Sequence, residues 1–513
     1  SSRRPRSAEA LAAGGGPGYQ APMELSADQI AARDAIRARL AAAGINLDQG
    51  RVDPAPREAK TPPLAVLGKA GSGKTHLLAE TAAALAEAGL EAVGGDWEPK
   101  RGRGRRSFAV LAPTNKAASV LRARGVPATT IHRILYIPVY DPEFEKIAKW
   151  LTEPDAPRPE VEGVDEATME RIAATYALHG SVPAALAMAG LSGADFIKGW
   201  TRREDPLDVA LVDEASMLEP KQFEDLGEIF STLILFGDPA QLAPVGASGE
   251  MAFDRMPEEA KPFLHRIHRQ GADSPILDLA HALRDGIEFR DFEREVEAIA
   301  ARDERVVIAP RADPDLMARA PMLVWRNATR IRLIQAFRTA HGAPESGLLS
   351  GEPLVCDGIE LPLKHRRKRI DLEARGLVKG AQAIWLGPGT KPGFARLHVV
   401  GAEAPTVSAA AIIKLEAPGA EEPRLVSAAR MGAAFVHGAA TTIHKAQGSQ
   451  WPDVQVFAPD LFAAAMTGRN EAGVPLWRRL AYVAVTRAET RLHWVTRWAM
   501  ARPARTLGIA DLA

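Results

Sequence analysis

Eight consecutive residues, Gly68-Lys69-Ala70-Gly71-Ser72-Gly73-Lys74-Thr75, have the spacing G-x-x-x-x-G-K-[ST]. An apolar run, Leu64–Gly68, precedes them and a helical pattern, His76–Ala88, follows. A glycine-rich turn caught between a strand and a helix N-terminus is built to hold phosphate. Gly68, Gly71 and Gly73 let backbone N–H groups curl around the oxygens, and the helix N-terminus adds its partial positive charge. Lys74 brings a point charge to the β and γ phosphates, and Thr75 offers a hydroxyl to Mg²⁺. ATP with Mg²⁺ is therefore the expected cofactor pair. A second loaded run, Val209-Ala210-Leu211-Val212-Asp213-Glu214, is an apolar strand ending in two carboxylates. Alone it would be an ordinary acidic strand end. Beside a phosphate loop, Asp213 is expected to hold the metal through water and Glu214 to polarise an attacking water as general base.

These groups need a frame. Phe108–Ala112 and Leu233–Phe236 are short apolar runs like Leu64–Gly68, and helical stretches separate all of them. That alternation predicts a parallel sheet covered on both faces. Leu25–Leu40 reads as a helix capped by Ser26, and a Pro-rich link, Val52–Pro63, follows it. A second α/β block starts near Leu264 with a strand at Met322–Trp325, and resumes at Ala433–His437, Val454–Phe457 and Leu492–Val495. Tyr136–Asp205 is helical in texture with acidic and Pro-rich joints, and Ser350–Ser427 reads as short strands among Gly and Pro. The expected class is thus α/β with two lobes: 25–135 with 206–263, and 264–349 with 428–513. A helical insertion, 136–205, interrupts the first and a small β-barrel-like insertion, 350–427, the second. Residues 1–24 are expected to be a flexible leader; Ser1–Pro22 lacks the apolar core of a signal peptide.

The bulk numbers set bounds. With 46% hydrophobic and 25% charged residues in 513, the chain is globular and long enough for several cores. No apolar run reaches the ~18 residues that span a bilayer, so no membrane association is expected. The single cysteine, Cys356, excludes an intrachain disulfide and fits a reducing cytoplasm; the Arg- and Ala-rich composition hints at a bacterial or phage genome. The formal net charge is zero, so any nucleic-acid affinity must come from local basic surfaces.

Several short runs, in order, resemble the motifs of superfamily 1 helicases. Asp28-Gln29 resembles the Q motif that reads adenine. Ala112-Pro113-Thr114-Asn115-Lys116-Ala117-Ala118 resembles motif Ia, and Thr129-Thr130-Ile131-His132 motif Ib. Asp213-Glu214-Ala215-Ser216 resembles motif II, with the Ala-Ser of the RecD/Dda branch, and Gly237–Gly246 resembles motif III. His268-Arg269-Gln270 resembles motif IV, Thr441–Gly448 motif V, and Tyr482–Ala488 motif VI. The resemblance implies two RecA-like lobes, a γ-phosphate sensor at Gln241, nucleotide contact at Gly448, and arginine fingers at Arg269 and Arg487 that reach the phosphates from the second lobe. It also implies movement along single-stranded DNA, 5′→3′, with unwinding at single/double-strand junctions. The chain is expected to act as a monomer beside replication or repair partners. Motifs Ia, Ib and V would place Pro113, Thr114, Asn115, Thr130, His132, Thr442, His444 and Lys445 on the strand, gripping phosphates without reading sequence. Trp451 and Tyr136 are candidate stacking platforms, with core packing as the alternative.

Two basic runs, Lys100–Arg106 and Lys364–Arg369, are either solvated surface or phosphate contacts near the duplex. Glu373–Gly380 stands where relatives carry an Asn-Gly turn. Within the first insertion, Glu166–His179, Ser181–Gly190 and Leu191–Arg203 read as three helices that resemble a helix-turn-helix, which would let 165–203 touch duplex DNA. The preferred alternative is a plain helical insertion packed on the first lobe. Two other functions are compatible with the motifs: an RNA helicase of the same superfamily, and an ATP-gated DNA-binding switch that does not unwind.

Overall fold

The computed structural model describes residues 25–54, 60–69, 71–94, 106–140, 142–153, 155–161, 164–179, 185, 197–244, 250–266, 274–360, 372, 375–402, 405–420, 423–426, 429 and 432–508. Arg269, the basic stretches 100–105 and 364–369, and nearly all of 180–196 lie outside them.

In the first lobe, Leu64–Gly68 and Ser107–Ala112 are buried at every residue, and Leu207–Val212 and Phe230–Gly237 at nearly every one. Only strands covered on both faces can be apolar throughout. From one edge the order is Phe263–Leu264, Leu64–Gly68, Phe230–Gly237, Leu207–Val212, Ser107–Ala112. Glu91–Ala92 and Ala128–Thr130 then share the far edge. All pairings are parallel. Every strand therefore ends on the same side, which is where ligands of open α/β sheets bind. Helix Ala27–Ala42 buries Gln29, Ala32, Ile36 and Leu40 at helical spacing and starts with a Ser26/Gln29 capping box. Arg106, the described end of the first basic run, is buried against Asp208 (2.8 Å) and the Ala43 carbonyl (2.6 Å), so it ties the lobe together and does not face solvent.

The insertion after motif Ib differs from expectation. Tyr136–Tyr140 pairs antiparallel with Ile197–Arg202, so residues expected to end a third helix are one arm of a β-ribbon. Ile197, Trp200 and Thr201 favour extended backbone, and pairing with Tyr136–Tyr140 outweighs the helical period. The helix-turn-helix reading fails there. The ribbon is pinned at its base. The Tyr136 hydroxyl donates to Asp225 (2.5 Å), Arg202 bridges Asp225 and Glu228, and Arg203 N–H donates to the Leu135 carbonyl (2.7 Å). The Tyr136 hydroxyl is thereby committed to an anchor. Beyond the ribbon, helices Pro142–Thr152 and Glu166–His179 share a small core of Ile147, Ala148, Met169, Ile172 and Ala185.

The second lobe is again all parallel, in the order Val306–Ala309, Ala488–Val495, Trp451–Phe457, Met322–Val324, Ala440–Thr442. Trp451 packs against this lobe's main core, which favours its structural reading. Gly432–His437 does not join this sheet, contrary to expectation. It pairs with Pro353–Glu360 and Thr406–Leu415 in the inserted domain. An alternating or apolar strand pattern states that a strand is buried, not which sheet buries it. There the strands run Phe394–Val399, Gln382–Pro388, Pro353–Glu360, Gly432–His437, Thr406–Leu415, and the first pairs with the last, closing a five-stranded barrel. A short strand, Arg424–Leu425, lies on its outside. Two buried arginines of the second-lobe helix Asn327–Ala340 hold the barrel: Arg330 meets Glu416, and Arg338 meets Glu352 (2.9 Å).

Candidate functional site

The phosphate loop folds as its sequence demands. Gly71 and Gly73 have φ of 80° and 88°, a region costly for residues with a Cβ. At Gly73 a Cβ would also lie 2.3 Å from Gln29 Nε2. Gln29, 3% exposed, donates from Nε2 to the Ser72 carbonyl (3.1 Å) and accepts at Oε1 from Ser26 N–H (3.1 Å). The Q-motif glutamine is thus part of the loop's wall. Lys74 follows Gly73 as the first residue of helix Lys74–Glu87, and Thr75 is half-buried beside it. The Lys74 ammonium donates to the carbonyls of Gly68 (2.7 Å) and Lys69 (2.8 Å), and Ser72 Oγ is buried with no partner.

Two strands away, Asp213 and Glu214 leave the tip of Leu207–Val212. Glu214 has φ of 50°, one of two non-glycine residues in the left-handed region among those described. Such strain persists where surroundings over-determine it. Here Glu214 N–H donates to Asp213 Oδ1 (3.0 Å), and Gln241 Nε2 donates to Glu214 Oε2 (3.1 Å). The Ser216 hydroxyl completes the chain by donating to Gln241 Oε1 (3.3 Å). Burial, and then the neighbouring Glu214 charge, push the Asp213 carboxyl above its usual range; the charges of Lys74 and Arg124 oppose this. A buried carboxylate with that conflict, next to the half-buried Glu214 and near the Lys74 charge, suits a divalent cation.

Motif III is where the lobes meet. Asp238 is fully buried and accepts from Ala240 N–H (3.0 Å) and from the Tyr482 hydroxyl of the second lobe (2.5 Å). Arg479, one turn earlier on helix Leu476–Val485, donates to the Gln241 carbonyl (2.7 Å), and Gln447 Nε2 donates to the Leu242 carbonyl (3.3 Å). The same helix leads into Arg487, whose guanidinium is buried and donates to the carbonyls of Val483 (3.0 Å) and Ser449 (3.1 Å). Arg487, expected as an arginine finger, is thus spent on joining the end of motif V to motif VI. Arg479 and Tyr482 went unassigned in the sequence. Tyr482 opens the run read as motif VI and Arg479 lies one helical turn before it, and that proximity was their only signal.

A second seam joins the strand motifs. Thr114 caps helix Asn115–Ala123, its Oγ accepting from Ala117 N–H (3.1 Å), and Pro113 and Asn115 flank it. A Cβ added to Gly448 (φ 73°) would lie 3.4 Å from Ala117 Cβ and 3.7 Å from Thr114 Oγ1. Gly448, expected at the nucleotide, is thus placed against motif Ia. Thr130 and Thr442 end edge strands that occupy matching places in the two sheets. His132 follows Thr130 on the exposed side, 5.1 Å from the Tyr136 ring centroid. His444 is half-buried, its imidazole held below its usual value by burial, and Lys445 is exposed. On the other side of the site, Asp28 accepts from the N–H groups of His265 (2.6 Å) and Arg266 (2.9 Å), fastening the first helix to the segment that leads into motif IV.

Residues 59–306 match the AAA domain family and residues 437–495 the UvrD-like helicase C-terminal domain family. No curated protein matches the chain. Among solved structures, a Pif1 helicase from Bacteroides in complex with ADP-AlF3 and ssDNA is 14% identical, over 95% of this chain and 96% of that one, with a TM-score of 0.44. A Pif1 helicase from Candida albicans is 15% identical over 94% and 98%, with a TM-score of 0.46. The chain thus combines a region similar to the AAA domain with one similar to the UvrD-like helicase C-terminal domain, and the motifs of both meet around Asp238 and Gln241.

Proposed function

We propose that the chain hydrolyses Mg-ATP to move 5′→3′ along single-stranded DNA and to open duplex at a junction. One observation carries this. The loop that bears the γ-phosphate sensor Gln241 is held from the second lobe by Tyr482 on Asp238 and Arg479 on the Gln241 carbonyl. A change at the phosphate end of Gln241 therefore moves the second lobe, which is what stepping requires.

In this reading Gly68, Gly71, Gly73 and Lys74 cradle the phosphates, Gln29 faces the adenine, and Thr75 with Asp213 holds the magnesium ion, which supplies charge neutralisation when bound. Glu214, oriented by Gln241, takes the proton of the attacking water. Arg269, and Arg487 once closure turns its guanidinium away from the Val483 and Ser449 carbonyls, stabilise developing charge from the second lobe. Thr114, Asn115, Thr130 and His132 on one lobe, and Thr442, His444 and Lys445 on the other, hold successive phosphates, and closure at Gly448 brings the two sets together.

Turnover with and without single-stranded DNA tests the reading, for the native chain and Lys74→Ala. Strong stimulation in the first and near-zero turnover in the second are expected. Stimulation by RNA alone would shift the substrate to RNA. Tight duplex binding with unstimulated turnover would favour the switch. Unwinding from 3′ tails only would overturn the polarity.

A further inference from the structure

Helix Pro275–Arg284 of the second lobe ends beside the strand pair that leads into the phosphate loop, although no motif names it. It packs beside Leu476–Val485 and aims its last turn at the first lobe. The Arg284 guanidinium lies 5.4 Å from the Phe263 ring centroid, and its Nη1 is 3.8 Å from Asp238 Oδ1. Phe263 pairs with Leu67, and the next residue, Leu264, with Gly68. The helix therefore ends at the base of the phosphate loop. One turn earlier on the same face, His281 sits within electrostatic reach of Lys69, the second residue of that loop.

His281 Nε2 and Arg284 Nη1 are both buried, and neither has a hydrogen-bond partner. Buried donors left unmade are rare and call for an explanation. The charged groups around His281 are Lys69 from the first lobe and Asp278, Asp285 and Arg284 from its own element. Burial, and then the Lys69 charge, hold the imidazole below its usual value, so it is neutral and has one N–H to give. The neighbouring first-lobe cation, Lys69, is part of the phosphate loop. The missing acceptor is thus of the kind that site attracts.

We propose that His281 is a second-lobe contact to the terminal phosphate of the bound nucleoside triphosphate. The inference rests on the ATP reading above. In this reading a diphosphate is held by the loop of its own lobe, and the outermost phosphate alone extends toward the facing helix. His281 thereby distinguishes triphosphate from diphosphate.

The test uses the full chain with His281→Ala and His281→Gln, and compares the affinity of ADP with that of a non-hydrolysable ATP analogue. His281→Ala is expected to weaken the analogue about tenfold, the loss of one hydrogen bond to a charged group. ADP should stay within about twofold, which also reports an intact loop. His281→Gln, which keeps an N–H near the same place, should recover most of the analogue affinity. Equal weakening of both nucleotides, or of neither, would overturn the proposal. A native chain that binds neither nucleotide would instead sink the ATP reading itself.

Discussion

Gly73 shows how much one missing side chain can decide. Its φ of 88° costs any L-residue about 1–2 kcal/mol, and a Cβ there would meet Gln29 Nε2 at 2.3 Å. Gly73→Ala must therefore strain the loop and expel Gln29 from the Ser72 carbonyl together. We expect the first lobe to lose at least about 1–2 kcal/mol by denaturant titration, and ATP affinity to fall further than that strain alone explains. A variant that binds ATP normally would show that the glutamine contact is incidental. Tyr482 makes the converse case, since its hydroxyl reaches across the lobes to a fully buried Asp238. Tyr482→Phe removes one hydrogen bond to a carboxylate, worth about 1.5–3 kcal/mol. Steady-state kinetics should show strand-stimulated turnover falling about tenfold or more, with ATP affinity nearly unchanged. Equal loss of basal and stimulated turnover would count against a coupling role.

Among the elements, the barrel's attachment is the most exacting. Glu352 is fully buried; it accepts from Arg338, from Leu349 N–H (2.6 Å) and from His437 Nε2 (2.8 Å). His437 Nδ1 accepts from Ala439 N–H (3.2 Å), so the imidazole is neutral, and burial holds it below its usual value. These groups flank both chain crossings between barrel and second lobe. A histidine whose folded value is depressed takes up a proton more readily when unfolded. Its contribution is therefore intact above about pH 6.5 and is lost as pH falls below that toward the folded value. Cys356, buried in the barrel with its thiol pushed up to about 11, reports the opening. Its alkylation rate, divided by that of the urea-unfolded chain at the same pH, should rise between pH 7.5 and 5.5. A flat ratio would exclude the latch as the weak point. This attachment also shows what a sequence withholds. Leu64–Gly68, Ser107–Ala112 and Phe230–Gly237 were legible because both faces are buried, so apolarity alone marks them. Gly432–His437 was legible as a strand but not as a barrel strand. Ile197–Arg202 was misread as helix, since only its partner Tyr136–Tyr140 makes it extended.

At the scale of the molecule, the motifs told that two lobes must meet around a nucleotide, but not through which side chains. Arg479 and Tyr482 act across the seam on partners 238 and 244 residues away in the chain, and Arg284 reaches back to Asp238, all beyond the reach of any local pattern. The same long-range contacts predict which parts move together. The barrel is tied to the second lobe by Arg330–Glu416 and Arg338–Glu352, both largely buried, and breaking a buried pair costs about 3–5 kcal/mol. Against the first lobe it makes a lighter contact, where a Cβ on Gly380 would lie 3.4 Å from Lys116 Cβ. The barrel should therefore travel with the second lobe when the lobes close, sliding over motif Ia. The sole native thiol is buried and weakly acidic, so introduced surface cysteines can be labelled selectively. With one dye at Ser119→Cys on the first lobe and one at Lys391→Cys on the barrel, energy transfer should change on adding single-stranded DNA with a non-hydrolysable ATP analogue. With dyes at Lys391→Cys and Arg332→Cys on the second-lobe helix, it should stay constant. A change in the second pair as large as in the first would mean the barrel swings on its own hinge, and that the two arginine clamps yield during the cycle.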